Sequence, residues 1–87
     1  MKTGVLLTLS ELSPGTRALV IDVGGGSEAF TRALLEMGVL EGSEVQVLYE
    51  APISRDPIAV QIRGALIALR RSEAQYIRVK VMSEVDA

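Results

Sequence analysis

The sequence predicts a small, mainly β fold, a barrel of about five to six short strands with one inserted α-helix and short helical turns. Short Val-, Leu- and Ile-rich segments alternate with turns that contain Gly or Pro, which is typical of small β-barrels. With only two Tyr and one Phe, the core must be aliphatic, and this favours strands. At 87 residues, the chain has room for a single domain over residues 1–87.

The N-terminal segments predict a helical turn and the first full strand. Residues 1–8 are expected either to add a strand or to fray. Leu9–Leu12 reads as a short helical turn with both leucines pointing inward, and Pro14 and Gly15 then form a turn. The strand Arg17–Val23 is apolar on both faces, so we expect it to be covered on both sides.

One helix is predicted over Glu28–Met37, with Ser27 as its N-cap. Its apolar residues recur at helical spacing and define a core-facing stripe, namely Phe30, Ala33, Leu34 and Met37. Gly38 lies where a left-handed C-cap is expected, and Val39 follows it as the usual hydrophobic contact. Leu35 lies outside the stripe.

The second half of the chain predicts four further strands, because apolar alternation recurs between turn signals. Their expected bounds are Glu44–Glu50, Ile58–Arg63, Ala65–Arg70 and Tyr76–Val81. The alternation places Tyr49 in the core, and Gly64 marks a bend or bulge. Ser72 can cap one helical turn over Glu73–Gln75, and residues 82–87 are expected to form a frayed tail.

The composition argues against catalysis. There is no His and no Cys, so general acid–base pairs of the usual kind and ordinary zinc, copper or iron sites are excluded. The carboxylates are scattered, and a carboxylate-only Mg²⁺ or Ca²⁺ site stays open without any supporting spacing. The sequence therefore predicts a binding module that is not an enzyme, with no catalytic, cofactor-binding or metal-ligating residues.

Charge and hydropathy limit the partners. A net charge of -2 gives no general reason to expect nucleic acid, although residues 58–81 carry five basic side chains against one Glu. The absence of Cys fits a reducing compartment, and no apolar stretch approaches the ~20 residues of a membrane span. The predicted location is the cytoplasm.

Two motifs raise the question of anion binding. Gly24–Ala29 matches the dinucleotide pattern G-x-G-x-x-A between a strand and a helix, but the later strands lack the crossover helices of a nucleotide-binding sheet. The glycines more simply let the helix dock closely on the barrel. Arg70 and Arg71 are adjacent, yet neighbouring strand residues face opposite sides and cannot form one clamp without a bend.

The order of these signals resembles the ferrous iron transport protein A (FeoA) family over about Leu9 to Val79. The resemblance rests on short motifs along the chain: Leu9–Gly15, the glycines before the helix, Arg32–Val39, Glu41–Ser43, Ala51–Pro52, Asp56–Val60, Arg63–Gly64, Ala68–Arg71 and Glu73–Ala74. It implies an SH3-like barrel and a cytoplasmic accessory role in bacterial Fe²⁺ uptake. The implied partner is the membrane transporter FeoB with its cytosolic G-domain. Two departures are a loop, Ile53–Asp56, without the glycine common in the family, and three consecutive glycines before the helix.

On this reading, protein–protein contact is the leading function. The expected partner-binding residues lie on the exposed helix face (Arg32, Leu35 and Glu36) and in the Glu50–Pro57 loop (Ile53 and Arg55). Two alternative functions stay open. One is a sensor of a small anion or nucleotide. The other is a self-assembling module, a homo-oligomer in which barrel edges pair between copies.

Overall fold

The aliphatic segments pair into one antiparallel sheet in the computed structural model, which describes residues 3–83. The strands are β1 (Leu6–Thr8), β2 (Arg17–Val23), β3 (Glu44–Glu50), β4 (Ile58–Ile62), β5 (Ala65–Leu69) and β6 (Ile77–Ser83). They lie in the order β1-β6-β2-β3-β4-β5, so β1 and β5 are the two edges. The helical elements are a 3₁₀ turn (Leu9–Glu11), α1 (Glu28–Glu36) and α2 (Arg71–Ala74).

The core is aliphatic, as the composition requires. Residues predicted to point inward are fully buried, among them Leu9, Leu12, Val45, Val47, Ile58, Val60, Ile62, Ile77, Val79 and Val81. Strand β2 buries Ala18 and Val20, while Leu19 and Ile21 on its other face are half-buried. The register shift between Val20 and Asp22 turns Val23 back toward the core, where it pairs with Ile77, so the prediction that Val23 shares a face with Leu19 and Ile21 is wrong. Register shifts in β2 and β3 bend these strands, which lets one sheet curl around the core.

The prediction that Tyr49 lies in the core is wrong. Val47 pairs with Val60 and Tyr49 pairs with Ala59, so Leu48 is an extra residue in β3. A bulge of one residue exchanges the two faces of a strand, because side chains alternate with a period of two. Tyr49 therefore lies on the outer face, 57% exposed, and Glu50 lies on the side of Ile58.

Helix α1 begins and ends at the predicted signals. The Ser27 hydroxyl accepts a hydrogen bond from the Phe30 N–H at 3.1 Å. At the other end, the Val39 N–H donates to the Leu34 carbonyl at 2.9 Å, and Gly38 has φ +93°. This C-terminal arrangement buries Leu34 and Val39 together in the core.

Met37 does not follow the predicted stripe, since it is 40% exposed. Met37 is the C-cap of α1, and Gly38 reverses the chain immediately after it. No further helical turn carries Met37 onto the barrel, and Val39 occupies the core position instead.

The start of α2 and the end of β6 also differ from the sequence expectation. Helix α2 begins at Arg71 with Arg70 as its N-cap, and the Glu73 carboxylate, three residues on, accepts the Arg70 N–H at 2.8 Å. Ser72 thus lies inside the helix. Strand β6 continues to Ser83, so residues 82–83 are not a frayed tail, and residues 84–87 lie outside the described residues.

The barrel is closed by a side chain. The edge strands β1 and β5 do not pair, but the 3₁₀ turn after β1 contacts α2 after β5. Between them, the half-buried guanidinium of Arg71 donates through Nη1 to the Ser10 carbonyl at 2.7 Å and through Nη2 to Glu50 Oε1 at 3.0 Å. The ladder expected of a closed barrel is replaced here by this bridge.

Replacing Leu34 with Ala is expected to lower the free energy of unfolding by about 2–5 kcal/mol, because it leaves a cavity under α1. Leu35→Ala is the matched control on the same helix, and its exposed site predicts a change within about 0.5 kcal/mol. Urea unfolding followed by circular dichroism measures both values. Equal losses for the two variants would show that α1 does not dock through Leu34.

Arg71→Lys is expected to destabilise the protein by about 1–3 kcal/mol, although it keeps the charge. A lysine ammonium cannot reach acceptors that lie on several sides of a planar guanidinium. Arg78→Lys is the control, because Arg78 pairs with the Asp22 carboxylate at a half-exposed site and should cost less than about 1 kcal/mol. Urea midpoints that fall equally for both variants would contradict the closing role of Arg71.

Candidate partner-binding surfaces

The outer face of α1 presents one apolar side chain between charges. Leu35 is 47% exposed, and Arg32 and Glu36 are exposed beside it along the helix. The Arg32 guanidinium lies 3.3 Å from the Glu28 carboxylate one turn earlier, and both side chains are largely in solvent. This arrangement offers an apolar anchor with orienting charges, as the sequence predicts for a contact surface.

Two further apolar side chains are exposed at and after the end of α1. Met37 and Leu40 are each 40% exposed, and with Leu35 we name these three residues the helix-end patch. The sequence does not single out Met37 or Leu40 as contact residues. Gly38 is the sequence signal that predicts the exposure of Met37, because a helix that ends at this glycine has no further turn to pack Met37 against the barrel.

The loop between β3 and β4 projects a second apolar side chain. Ile53, near its tip, is 83% exposed. The next two residues, Ser54 and Arg55, adopt left-handed backbone with φ of +65° and +58°. Only glycine takes this conformation readily, so Ser54 and Arg55 hold a strained backbone in this loop.

The base of the loop is held by ionic contacts. Glu50 is shared by two arginines, since its Oε2 lies 2.7 Å from Arg55 Nε and its Oε1 accepts from Arg71. The Arg71 Nε donates to the Arg55 carbonyl at 2.8 Å, and the Arg71 backbone N–H donates to the Asp56 carboxylate at 2.8 Å. These contacts hold the loop at Arg55 and Asp56, next to the strained backbone.

The helix face and the loop are carried by different elements. Within residues 3–83, no hydrogen bond or ion pair joins α1 to residues 51–57. The structure therefore exposes the five sequence-predicted residues on two elements that no polar contact connects.

The glycine turn before α1 is packed against aromatic rings. A Cβ on Gly26 would lie 3.2 Å from the Tyr76 ring and 3.3 Å from the Phe30 ring. Those two rings meet edge to face, with centroids 6.1 Å apart. Every strand pairing in the described sheet is antiparallel, so the parallel unit of a dinucleotide site does not form there. The turn serves helix docking.

Two other features of residues 3–83 concern metal binding and membrane crossing. In this range, no three His, Cys, Asp or Glu side chains come together in a way that could hold a metal ion. None of the described helices has the length and apolar character needed to cross a membrane. Arg71, which drew attention as half of an arginine pair, is occupied by Glu50 and backbone carbonyls.

Curated proteins include a relative in which this type of domain is part of a larger protein. The Fe(2+) transport protein A/Fe(2+) transporter FeoB fusion protein of Porphyromonas gingivalis is 36% identical over 77 residues, which are 88% of this chain. The match spans only 9% of the length of that fusion protein.

Solved structures of similar chains share the fold. The FeoA protein from Chlorobium tepidum has a TM-score of 0.81 at 39% identity and covers 88% of this chain and 71% of its own. The Stenotrophomonas maltophilia FeoA complexed with zinc, described as a prokaryotic SH3 domain protein, has a TM-score of 0.76 at 37% identity, with 85% and 89% covered. The family model of the FeoA domain matches residues 7–81. With its SH3-like, mainly β architecture, the chain therefore belongs to the FeoA family, which is related to ferrous iron transport.

Proposed function

We propose that this chain is a cytoplasmic, non-catalytic accessory protein of ferrous iron uptake, which acts by direct contact with a membrane Fe²⁺ transporter of the FeoB kind. The observation that carries the proposal is the fusion of a related domain to FeoB in one polypeptide. A fusion keeps two domains at high effective concentration, and it is an advantage only where they work together. A separate chain of the same family would reach such a transporter through surface contacts.

The outer face of α1 is the principal proposed contact. Leu35 and the rest of the helix-end patch supply apolar area that a partner can bury, and such central apolar anchors carry most of the binding energy of an interface. Arg32 and Glu36 carry opposite charges beside Leu35, so they set the orientation of the partner and its rate of association.

The loop between β3 and β4 is the second proposed contact. Ile53 is the most exposed large apolar residue of the described chain. The anchors of the loop base, Glu50 and Arg71, reduce the conformational entropy that the loop would lose on binding. Arg55 stays 68% exposed at its side chain while paired with Glu50, so it can also meet a carboxylate of the partner.

Leu35→Asp is expected to weaken binding to the FeoB-type transporter of the same organism at least about tenfold, because a charge replaces the central anchor. Binding is measured by pull-down and by interferometry with the full-length transporter in detergent. Leu6→Asp, at a 68% exposed leucine on β1, is the matched control and should leave the affinity unchanged. If a folded Leu35→Asp protein binds like the wild type, the helix-face contact is wrong.

Ile53→Ser is expected to weaken the same interaction about three- to tenfold without altering stability, since the side chain is in solvent in the free protein. Because α1 and the loop are separate surfaces, the losses of Leu35→Asp and Ile53→Ser should multiply in the double variant. An unchanged affinity for Ile53→Ser would remove the loop from the interface and leave the helix proposal standing.

A further inference from the structure

The edge strand β5 is entirely apolar. Its five residues, Ala65–Leu69, are Ala, Leu, Ile, Ala and Leu, and Leu66 is 59% exposed. It lies at one end of the sheet order and pairs on one side only, with β4.

The pairing with β4 determines which backbone groups of β5 are free. Arg63 and Gly64 form a two-residue turn with φ of +50° and +82°, so Ile62 and Ala65 are a hydrogen-bonded pair. Hydrogen-bonded and open pairs alternate along an antiparallel ladder. The N–H and C=O groups of Leu66 and Ala68 therefore point away from β4, and no other backbone group of the described chain bonds to them.

Strand β5 lacks the features that usually protect an edge. Natural edge strands are kept from pairing by Lys, Pro, bulges or short length. The opposite edge, β1, has three residues, whereas β5 has five in unbroken register with no charge and no Pro. Such an edge is a template for a further strand.

An apolar groove lies on the outer face beside this edge. Its volume is about 370 Å³, and its lining includes Tyr49, Pro52, Pro57, Ala59, Leu66 and Ala68. Tyr49 is there because of the bulge at Leu48. Alternate side chains of a strand added to β5 would lie on this face, so the edge offers main-chain pairing and the groove offers side-chain contact.

Charge indicates the kind of strand that fits. Residues 57–72 contain three arginines and no carboxylate, and Arg71 is engaged by Glu50. Arg63 and Arg70 bracket β5 and form no ion pair within the described residues. A second copy paired with β5 would bring these arginines together, which disfavours self-pairing. A five-residue ladder also buries far less than the ~1,200 Å² of a stable dimer interface.

We propose that the β5 edge binds an extended segment of another protein, with alternating apolar residues and acidic residues at both ends, by strand addition. Leu66 and Ala68 supply the hydrogen bonds, the groove beside Tyr49 receives a side chain, and Arg63 and Arg70 pair with the acidic ends. This surface is distinct from α1 and borders the loop at Pro52 and Pro57, and the proposal does not rest on contact with a transporter.

The test uses the ¹⁵N-labelled full chain and a blocked peptide, Glu-Glu-Val-Thr-Val-Thr-Val-Glu-Glu, at millimolar concentration. The amide signals of Leu66 and Ala68 are expected to shift, and their hydrogen exchange should slow. A peptide with Lys in place of Glu should bind at least about tenfold more weakly at low ionic strength, with the difference shrinking as salt is added.

Two variants at one position separate backbone pairing from simple surface contact. Ala68→Pro removes an N–H that β4 does not use, and it should abolish the shifts. Ala68→Thr keeps that N–H and should preserve them. The charge comparison on the unaltered protein needs no variant and stands even if Ala68→Pro fails to fold. Equal binding of the two peptides, shifts confined to other residues, no shift, or peptide-independent dimerisation through β5 would each overturn the proposal.

Discussion

The bridge made by Arg71 is the interaction on which the shape of this protein depends. The sheet has two unpaired edges, and the elements that follow these edges pack together and are bridged by one guanidinium. Arginine suits the position because its planar fork presents donors in several directions at fixed angles. Its acceptors come from distant parts of the chain: the Ser10 and Arg55 carbonyls and the Glu50 carboxylate. In this way one side chain fixes the barrel and the loop together.

The Arg71 bridge requires Glu50 to face the right way, and this depends on the bulge at Leu48. Without the extra residue, strict alternation would place Glu50 on the outer face and Tyr49 in the core. The bulge reverses both. The same one-residue shift therefore turns the Glu50 carboxylate toward Arg71 and places the Tyr49 ring in the lining of the outer groove. A local irregularity in one strand thus determines two surfaces of the molecule.

The features that the sequence predicts correctly are those governed by local rules. The approximate bounds of β2 to β5, the Ser27 cap, the reversal at Gly38 and the exposure of Leu35 each depend on a few neighbouring residues. The predictions for Tyr49 and Met37 are wrong because one position depends on a bulge and the other on a helix end. The apolar periodicity of the sequence continues across both features, so it does not reveal them. The role of Arg71 was also hidden, since its acceptors lie as many as 61 residues away. The predicted contact residues are accordingly exposed where expected. The exposure of the other members of the helix-end patch and the ionic contacts at the loop base depend on tertiary structure, so the sequence does not predict them.

The strained loop between β3 and β4 depends on the same contacts that bridge the edges of the barrel. Ser54 and Arg55 hold left-handed backbone at a cost of roughly 1–3 kcal/mol each, and such strain persists only where surrounding contacts determine it. Here the contacts come from Arg71 and Glu50, which also close the barrel. The loop that carries Ile53 is therefore coupled to the Arg71 network, whereas Leu35 depends on the packing of α1 through Leu34. A change in the Arg71 network would disturb the loop before it disturbed the helix, so the two surfaces differ in their sensitivity to the same perturbation.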